Sequence, residues 1–264
     1  MVKNLQLDAT GIIPEITQTA RAASCKFSEL GEPAFLSASF ALRYEVYCKE
    51  RRFLTPEKYP QKCESDHYDN HAVHVGGTNS NGEMVGTVRM VLHSALGFPM
   101  FEHCKIFPQY EYLTDLHVQK ATAEISRLAF TKHHRTFPKP EVRSNGEVSC
   151  EDISSTVESA TVNPTATKQD KADITLGIYK TIYQISKRRG ITHWCAAMEK
   201  SLLRLMGRFH FAFTPIGPEL DYYGPVTPYV VTLAEIEKGL RQHCPATYAD
   251  FINGLEPELV PVFT

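Results

Sequence analysis

A chain of 264 residues can bury a sizeable core without disulfide or metal staples. Apolar residues make up 42% and charged residues 22%, an ordinary globular composition. Lys and Arg number 28 against 30 Asp and Glu, a net charge of −2 that argues against broad electrostatic capture of nucleic acid. No apolar run is long enough for a transmembrane helix, and the first residues lack the pattern of a secretory signal. Seven cysteines lie far apart with no CxxC pair, which reads as scattered reduced thiols in a cytoplasmic protein.

Residues 1–32 carry weak periodicity and read as an extension with at most a short helix. A helix is expected from Pro33 to Lys49, where Phe35, Ser39, Leu42 and Val46 share a stripe and Pro33 suits the first turn. A charged loop follows to Asn70. His71–Gly77 and Glu83–Leu92 read as strands joined by a hairpin over Asn79–Gly82. Residues 93–120 are mixed, and Ala123–Thr131 is a third strand. Residues 138–170 are rich in Ser, Thr, Asn, Glu and Pro and read as a mobile insertion inside one domain spanning 33–264. Ile174, Ile178, Ile182 and Ile185 mark a helix from Ala172 to Arg189. A buried strand (Ile191–Met198), a short helix (Glu199–Arg208), strands at Phe211–Thr214 and Pro228–Leu233, and a helix at Leu233–His243 complete the order. The expected fold is α/β (α+β): a mixed twisted sheet with helices on both faces. No GxGxxG or GxxxxGK[ST] motif supports a dinucleotide or P-loop fold.

Charge patterning marks the chemistry. Glu64, Asp66 and Asp69 form an ExDxxD run whose carboxylates repel unless cations or polar ligands offset them. Read alone, the run is equally a solvated loop. Arg89 interrupts the apolar strand VGTVRMVL, Arg127 interrupts EISRLAF, and Arg43 sits among Phe40, Leu42 and Val46. Three such arginines beside three carboxylates and Glu124 point to one paired network. In a regular strand Glu124 and Ser126 face one side and Arg127 the other; a β-bulge would re-aim them. His67, His71 and His74 lie near Asp66 and Asp69, but His71 and His74 face opposite sides of a strand, and no metal site is expected.

Arg43, Glu64-x-Asp66-x-x-Asp69, Gly86-Thr-Val-Arg89 and Glu124-Ile-Ser-Arg127 resemble, in order and spacing, the acyl-homoserine-lactone autoinducer synthases. These are GNAT-like N-acyltransferases, related to the N-acyl amino acid synthases. The segments LRYEVYCKERRF, CESDHYDNHAVH, GTVRMVL and EISRLAFTKHHR are most similar to the acyltransferases associated with the PEP-CTERM/exosortase system. The resemblance implies a GNAT-like sheet that splays after its central strand to admit a pantetheine arm. It implies transfer of a fatty acyl group from a thioester to the amine of an amino acid or similar small molecule, with no tightly bound cofactor. Glu64, Asp66, Asp69 and Glu124 would bind and deprotonate the amine. Arg43, Arg89 and Arg127 would organise the carboxylates or hold a substrate carboxylate, and Ser126 would contact the acyl or pantetheine arm.

Where GNAT enzymes carry a Gly-rich pyrophosphate loop, this chain reads KHHRTFPKPEV. An acyl carrier protein is therefore the expected donor partner, rather than acyl-CoA. Lys132, Arg135, Lys139, Lys187, Arg188, Arg189, Arg204 and Arg208 are the cations near the expected entrance that would meet it, although the 187–189 run reads more simply as solvated surface charge. Two alternatives stay open: an autoinducer synthase using S-adenosylmethionine, and a non-catalytic module that binds an acyl ligand. Autoinducer synthases commonly carry a tryptophan ahead of the acidic run; here that stretch offers Phe53 and Tyr59, and the one Trp is Trp194.

Overall fold

A computed structural model describes residues 25–131 and 168–262. The insertion expected at 138–170 lies outside the described residues, except that Lys168–Asp170 open a helix. The strands are β1 (Lys26–Glu29), β2 (Ala72–Thr78), β3 (Met84–Leu92), β4 (Thr122–Phe130), β5 (His193–Met198), β6 (Thr214–Pro215), β7 (Leu220–Asp221) and β8 (Pro225–Thr232). The helices are α1 (Pro33–Tyr44), α2 (Pro99–His103), α3 (Leu116–Lys120), α4 (Lys168–Arg188), α5 (Lys200–Arg208), α6 (Leu233–His243) and α7 (Pro245–Ile252). The sheet runs β1-β2-β3-β4-β5-β8-β6, with β7 also paired to β8.

Neighbouring strands are antiparallel except β4 and β5, which are parallel and pair only over Thr122–Glu124. Beyond Glu124 the two strands part, which gives the GNAT-like split. On β3, Val88 and Met90 face a core with Val73, Val75, Ile125 and the α4 residues Ile178, Tyr179 and Ile182. Trp194 completes that core, its indole N–H donating to Ser186 at 2.9 Å. The alternate residues His74, Arg89, Glu124 and Ser126 therefore face the other side, where α1 packs.

Local chemistry accounts for the junctions. Asn79 Oδ1 accepts from the amides of Asn81 and Glu83, and Gly82 takes the left-handed conformation, closing the β2–β3 hairpin. Thr232 and Glu235 form a capping box that starts α6.

Several expectations need correction. The region read as an extension supplies β1, because Phe27 fits a slot left by Gly77 and Gly177; a Cβ on either glycine would meet the Phe27 ring within 2.6 Å. The first helix does not continue as an α-helix to Lys49. It turns π-helical over Glu45–Glu50, with the Arg51 amide bonding back to Val46. The strand expected at Phe211–Thr214 shrinks to Thr214–Pro215. Cys63 is disulfide-bonded, against the reading of seven reduced thiols; Cys48, Cys104, Cys195 and Cys244 are free. Among the described residues no helix is long and apolar enough to cross a membrane.

Candidate active site

Six of the singled-out side chains close into a ring of alternating charge. Arg43 Nε meets Glu64 Oε2 at 2.6 Å and its Nη1 meets Asp69 Oδ1 at 2.7 Å. Arg127 Nε meets Glu64 Oε1 at 3.1 Å and its Nη2 meets Asp66 Oδ2 at 3.2 Å. Arg89 Nη1 reaches Asp66 Oδ1 at 2.6 Å and Asp69 Oδ1 at 3.1 Å. Each guanidinium bridges two carboxylates and each carboxylate two guanidiniums, so the formal charges cancel. Such closure lets ions persist out of water. Arg43, Glu64 and Arg89 are fully buried; Asp66, at 24% side-chain exposure, is the most open member.

The ExDxxD spacing has a local cause. Asp66 caps the 3-10 turn His67–His71, accepting from the Tyr68 amide at 2.9 Å, while Asp69 accepts from the Asp66 amide at 2.7 Å. This capping box fixes both carboxylates by backbone bonds. Burial alone would raise the pKa of Asp69, but Arg43, Arg89 and the Asp66 amide hold it well below the usual carboxylate range. Burial opposes the charge on Arg43 and Arg127, yet their carboxylate partners win and raise both pKa values. His74 lies beneath the ring, with Nε2 3.3 Å from the Asp69 carbonyl oxygen; burial lowers its pKa, partly countered by Asp69.

Arg127 reaches the ring because β4 is bulged. Thr87 pairs with Ala129 and Arg89 with Ser126, so Arg127 and Leu128 together oppose Val88. Arg127 has φ 55°, a conformation that glycine favours. For an arginine this costs on the order of 1–2 kcal/mol, offset by its two ion pairs.

Glu124 and Ser126 share this face but stand outside the ring. Ser126 Oγ accepts from Arg89 Nε at 3.1 Å. Glu124 Oε2 accepts from the Met100 amide of α2 at 2.7 Å. Burial pushes the Glu124 pKa up to about 7, held back by the Met100 amide, Arg89 and Arg127. The neighbouring thiols of Cys195 and Cys104 are pushed up by burial, Cys104 to about 11, so both stay protonated at neutral pH. Arg89 Nη2 is buried and has no hydrogen-bond partner among the described residues. An orphan donor of this kind costs about 1–3 kcal/mol.

Aromatic residues that sequence reasoning did not assign to the site border it. Arg127 lies over the rings of Tyr47 and Tyr223, 5.5 and 6.0 Å from their centroids. The Tyr222 ring packs at a tilt against Tyr223, with 4.7 Å between centroids, and against His103 at 4.6 Å. The Asp221–Gly224 turn sets this pair: the Gly224 amide donates to Asp221 Oδ1 at 3.0 Å, and Gly224 has φ 102°. The Asp-Tyr-Tyr-Gly wording signals a turn, but nothing in it points to Arg127.

Among the described residues no three His, Cys, Asp or Glu side chains are arranged to hold a metal ion. The cations expected to dock a donor divide. Lys187 pairs with Glu237, Arg188 with Glu256 and Arg189 with Glu29. Arg204 and Arg208 are exposed on α5. Lys132, Arg135 and Lys139 lie outside the described residues.

Residues 42–143 match the model of an acetyltransferase (GNAT) domain. Solved structures share the fold. TofI, in complex with an inhibitor and MTA, is 18% identical with a TM-score of 0.54, covering 89% of this chain and 99% of TofI. The CoA-dependent acyl-homoserine lactone synthase BjaI, with SAM and isopentyl-CoA, is 17% identical with a TM-score of 0.54, covering 86% of this chain and 89% of BjaI. The AHL synthase LasI is 16% identical with a TM-score of 0.51, covering 79% and 89%. No curated protein sequence matches the chain. The match over residues 42–143 and the split, bulged sheet support an acyltransferase with a GNAT-like fold.

Proposed function

We propose that the chain moves a fatty acyl group from an acyl thioester to the amine of an amino acid or a similar small carboxylate-bearing amine. One juxtaposition carries this reading. Glu124, with a pKa near 7, and the orphan Nη2 of Arg89 lie on one face of adjacent strands. An α-amino acid uses both: its amine meets Glu124 and its carboxylate meets Arg89. Glu124 takes a proton from the ammonium, and the freed nitrogen attacks the thioester carbonyl carbon. Backbone N–H groups at the β4 bulge, where the β3–β4 register is irregular, would serve the developing oxyanion. The carbon–sulfur bond then breaks, and the leaving thiolate takes up the second proton that the acylated nitrogen sheds. No covalent enzyme intermediate is required. Asp66, the most open ring member, helps receive the ammonium, while Glu64 and Asp69 hold Arg43, Arg89 and Arg127 in place. Ser126 steadies Arg89 and borders the path of the acyl arm.

For the donor we favour acyl carrier protein, supported by the missing Gly-rich loop and by Arg204 and Arg208 on α5. Acyl-CoA is the second reading, favoured by the shared fold with the CoA-dependent BjaI. The motif wording supports a place beside the PEP-CTERM/exosortase-associated acyltransferases. The test is incubation of purified protein with an acyl thioester and a mixture of amino acids, followed by thiol release and product mass. An N-acyl amino acid supports the reading. A homoserine lactone formed from S-adenosylmethionine reassigns the chain as an autoinducer synthase, and thioester binding without consumption reassigns it as a binding module.

A further inference from the structure

The bulge in β4 needs a clamp. It is a two-against-one irregularity with an arginine in a conformation that glycine favours, at the place where β4 and β5 have already parted. A strand in that position relaxes toward regular pairing unless something outside the sheet holds it.

Tyr47 is placed to do this. Its hydroxyl donates to the carbonyl oxygen of Leu128, the second bulge residue, at 3.0 Å. Its ring lies under the guanidinium of Arg127, the first bulge residue, with 5.5 Å between Arg127 Cζ and the ring centroid. One side chain thus grips both residues that have no partner in the β3–β4 register. Burial raises the Tyr47 pKa, with Arg127 opposing, so the phenol remains a donor. Tyr47 stands on the π-helical segment Glu45–Glu50. Extra residues per turn change which way a side chain leaves the helix, and π-segments recur at functional sites. Arg43, one turn earlier, enters the ring while Tyr47 reaches past it to the bulge.

We propose that Tyr47 is a positioning residue for acyl transfer, its hydroxyl fixing the Leu128 peptide and so the backbone donors offered to the oxyanion. The proposal rests on the acyltransfer reading for its kinetic consequence, but the clamp itself is readable without activity. In Tyr47→Phe the ring and its contact with Arg127 remain and only the hydroxyl bond is lost. The kinetic expectation is a fall in kcat of about tenfold, with KM for amine and donor within about twofold and the pH limb of Glu124 unmoved. Unchanged kcat, or a loss carried wholly by KM, would overturn the positioning role.

The second measurement is the backbone carbonyl carbon shift of Leu128 by NMR, with Ala123 as internal reference. It should move in Tyr47→Phe while Ala123 does not, and Ala129 and Phe130 amides should exchange faster. An unmoved Leu128 signal overturns the clamp. If wild-type protein transfers no acyl group, the functional reading fails while the carbonyl shift still decides the clamp. If Tyr47→Phe does not fold, Tyr47→Trp, which keeps a ring and offers an N–H at another reach, is scored by the same signal.

Discussion

Two kinds of carboxylate share one face of this sheet and titrate in opposite directions. Asp69 accepts from Arg43, Arg89 and a backbone amide, and its pKa is driven down. Glu124 accepts from one amide, has no guanidinium within bonding distance among the described residues, and its pKa rises to about 7. Both are buried. What separates them is the number of positive partners, since burial penalises a carboxylate unless hydrogen bonds and cations repay it. On the proposed reading the two do different work: Asp69 anchors Arg43 and Arg89, and Glu124, with its raised pKa, exchanges the proton.

The most severe break of the contrast is Glu124→Gln. The amide keeps the shape and an acceptor for the Met100 N–H but cannot take a proton. Loss of a general base costs about 10²–10⁴ in rate, so kcat should fall by roughly three orders of magnitude. In wild type, kcat/KM should rise with pH through about 7, following ionisation of Glu124. Stability should move the other way. A carboxyl whose folded pKa exceeds its unfolded value favours the fold below the unfolded pKa, and that favour is lost as pH rises through the folded pKa. Glu124→Gln should therefore gain stability relative to wild type between pH 5 and pH 8, by at most about 3 kcal/mol from a rise of 4.5 to about 7. Near-normal turnover by a folded Glu124→Gln protein would remove Glu124 from the chemistry.

Arg43→Met tests the other half. It leaves Glu64 and Asp69 each short of one buried partner. Breaking a buried pair costs about 3–5 kcal/mol, so the midpoint of thermal unfolding should drop by about 10 °C. Asp69 also predicts a pH signature. Its depressed pKa contributes stability above the ordinary Asp pKa, and this is lost as pH falls through the acid range. Wild type should therefore lose more stability than Arg43→Met on acidification from pH 5 to pH 3. Parallel stability curves for the two proteins would show that the ring is not where Asp69 gets its low pKa.

Much of this site was legible in the sequence because charge in an apolar strand needs a partner. Arg89 and Arg127 interrupt strands that are otherwise Val, Ile, Leu and Met, and three carboxylates lie close together at 64–69. The bulge was legible as a condition, since Glu124 and Arg127 cannot face one side of a regular strand. Features set by distant contacts were not legible. The slot for Phe27 is made by Gly77 and Gly177, which no local pattern links. The π-helical turn that carries Tyr47 reads as ordinary helix. Tyr222 and Tyr223 reach Arg127 through the β7–β8 turn. Glu124 looked like one more acid of the cluster; only burial and a single amide partner set it apart.

The smallest effects belong to the surface pairs at the end of α4, which repeat the chemistry of the ring in water. Arg188 Nε lies 2.9 Å from Glu256 Oε1, as close as pairs in the ring, yet both side chains are more than a third exposed. Exposed pairs contribute little because solvent screens them, so Arg188→Ala should shift the unfolding midpoint by only a few degrees. Its effect should shrink further at high salt, where exposed charges are screened. The same pairing bears on donor docking. Lys187, Arg188 and Arg189 already have acidic neighbours within the chain, which leaves less charge for an acidic carrier protein. The double charge reversal Arg204→Glu with Arg208→Glu should therefore lower kcat/KM for an acyl carrier protein donor at low salt, and Arg188→Ala should not. The measurement is kcat/KM for one acyl chain on carrier protein and on CoA, at low and moderate salt. An Arg188→Ala defect equal to that of the α5 double variant would return the docking surface to α4, and no defect in either protein on carrier-bound donor would favour acyl-CoA.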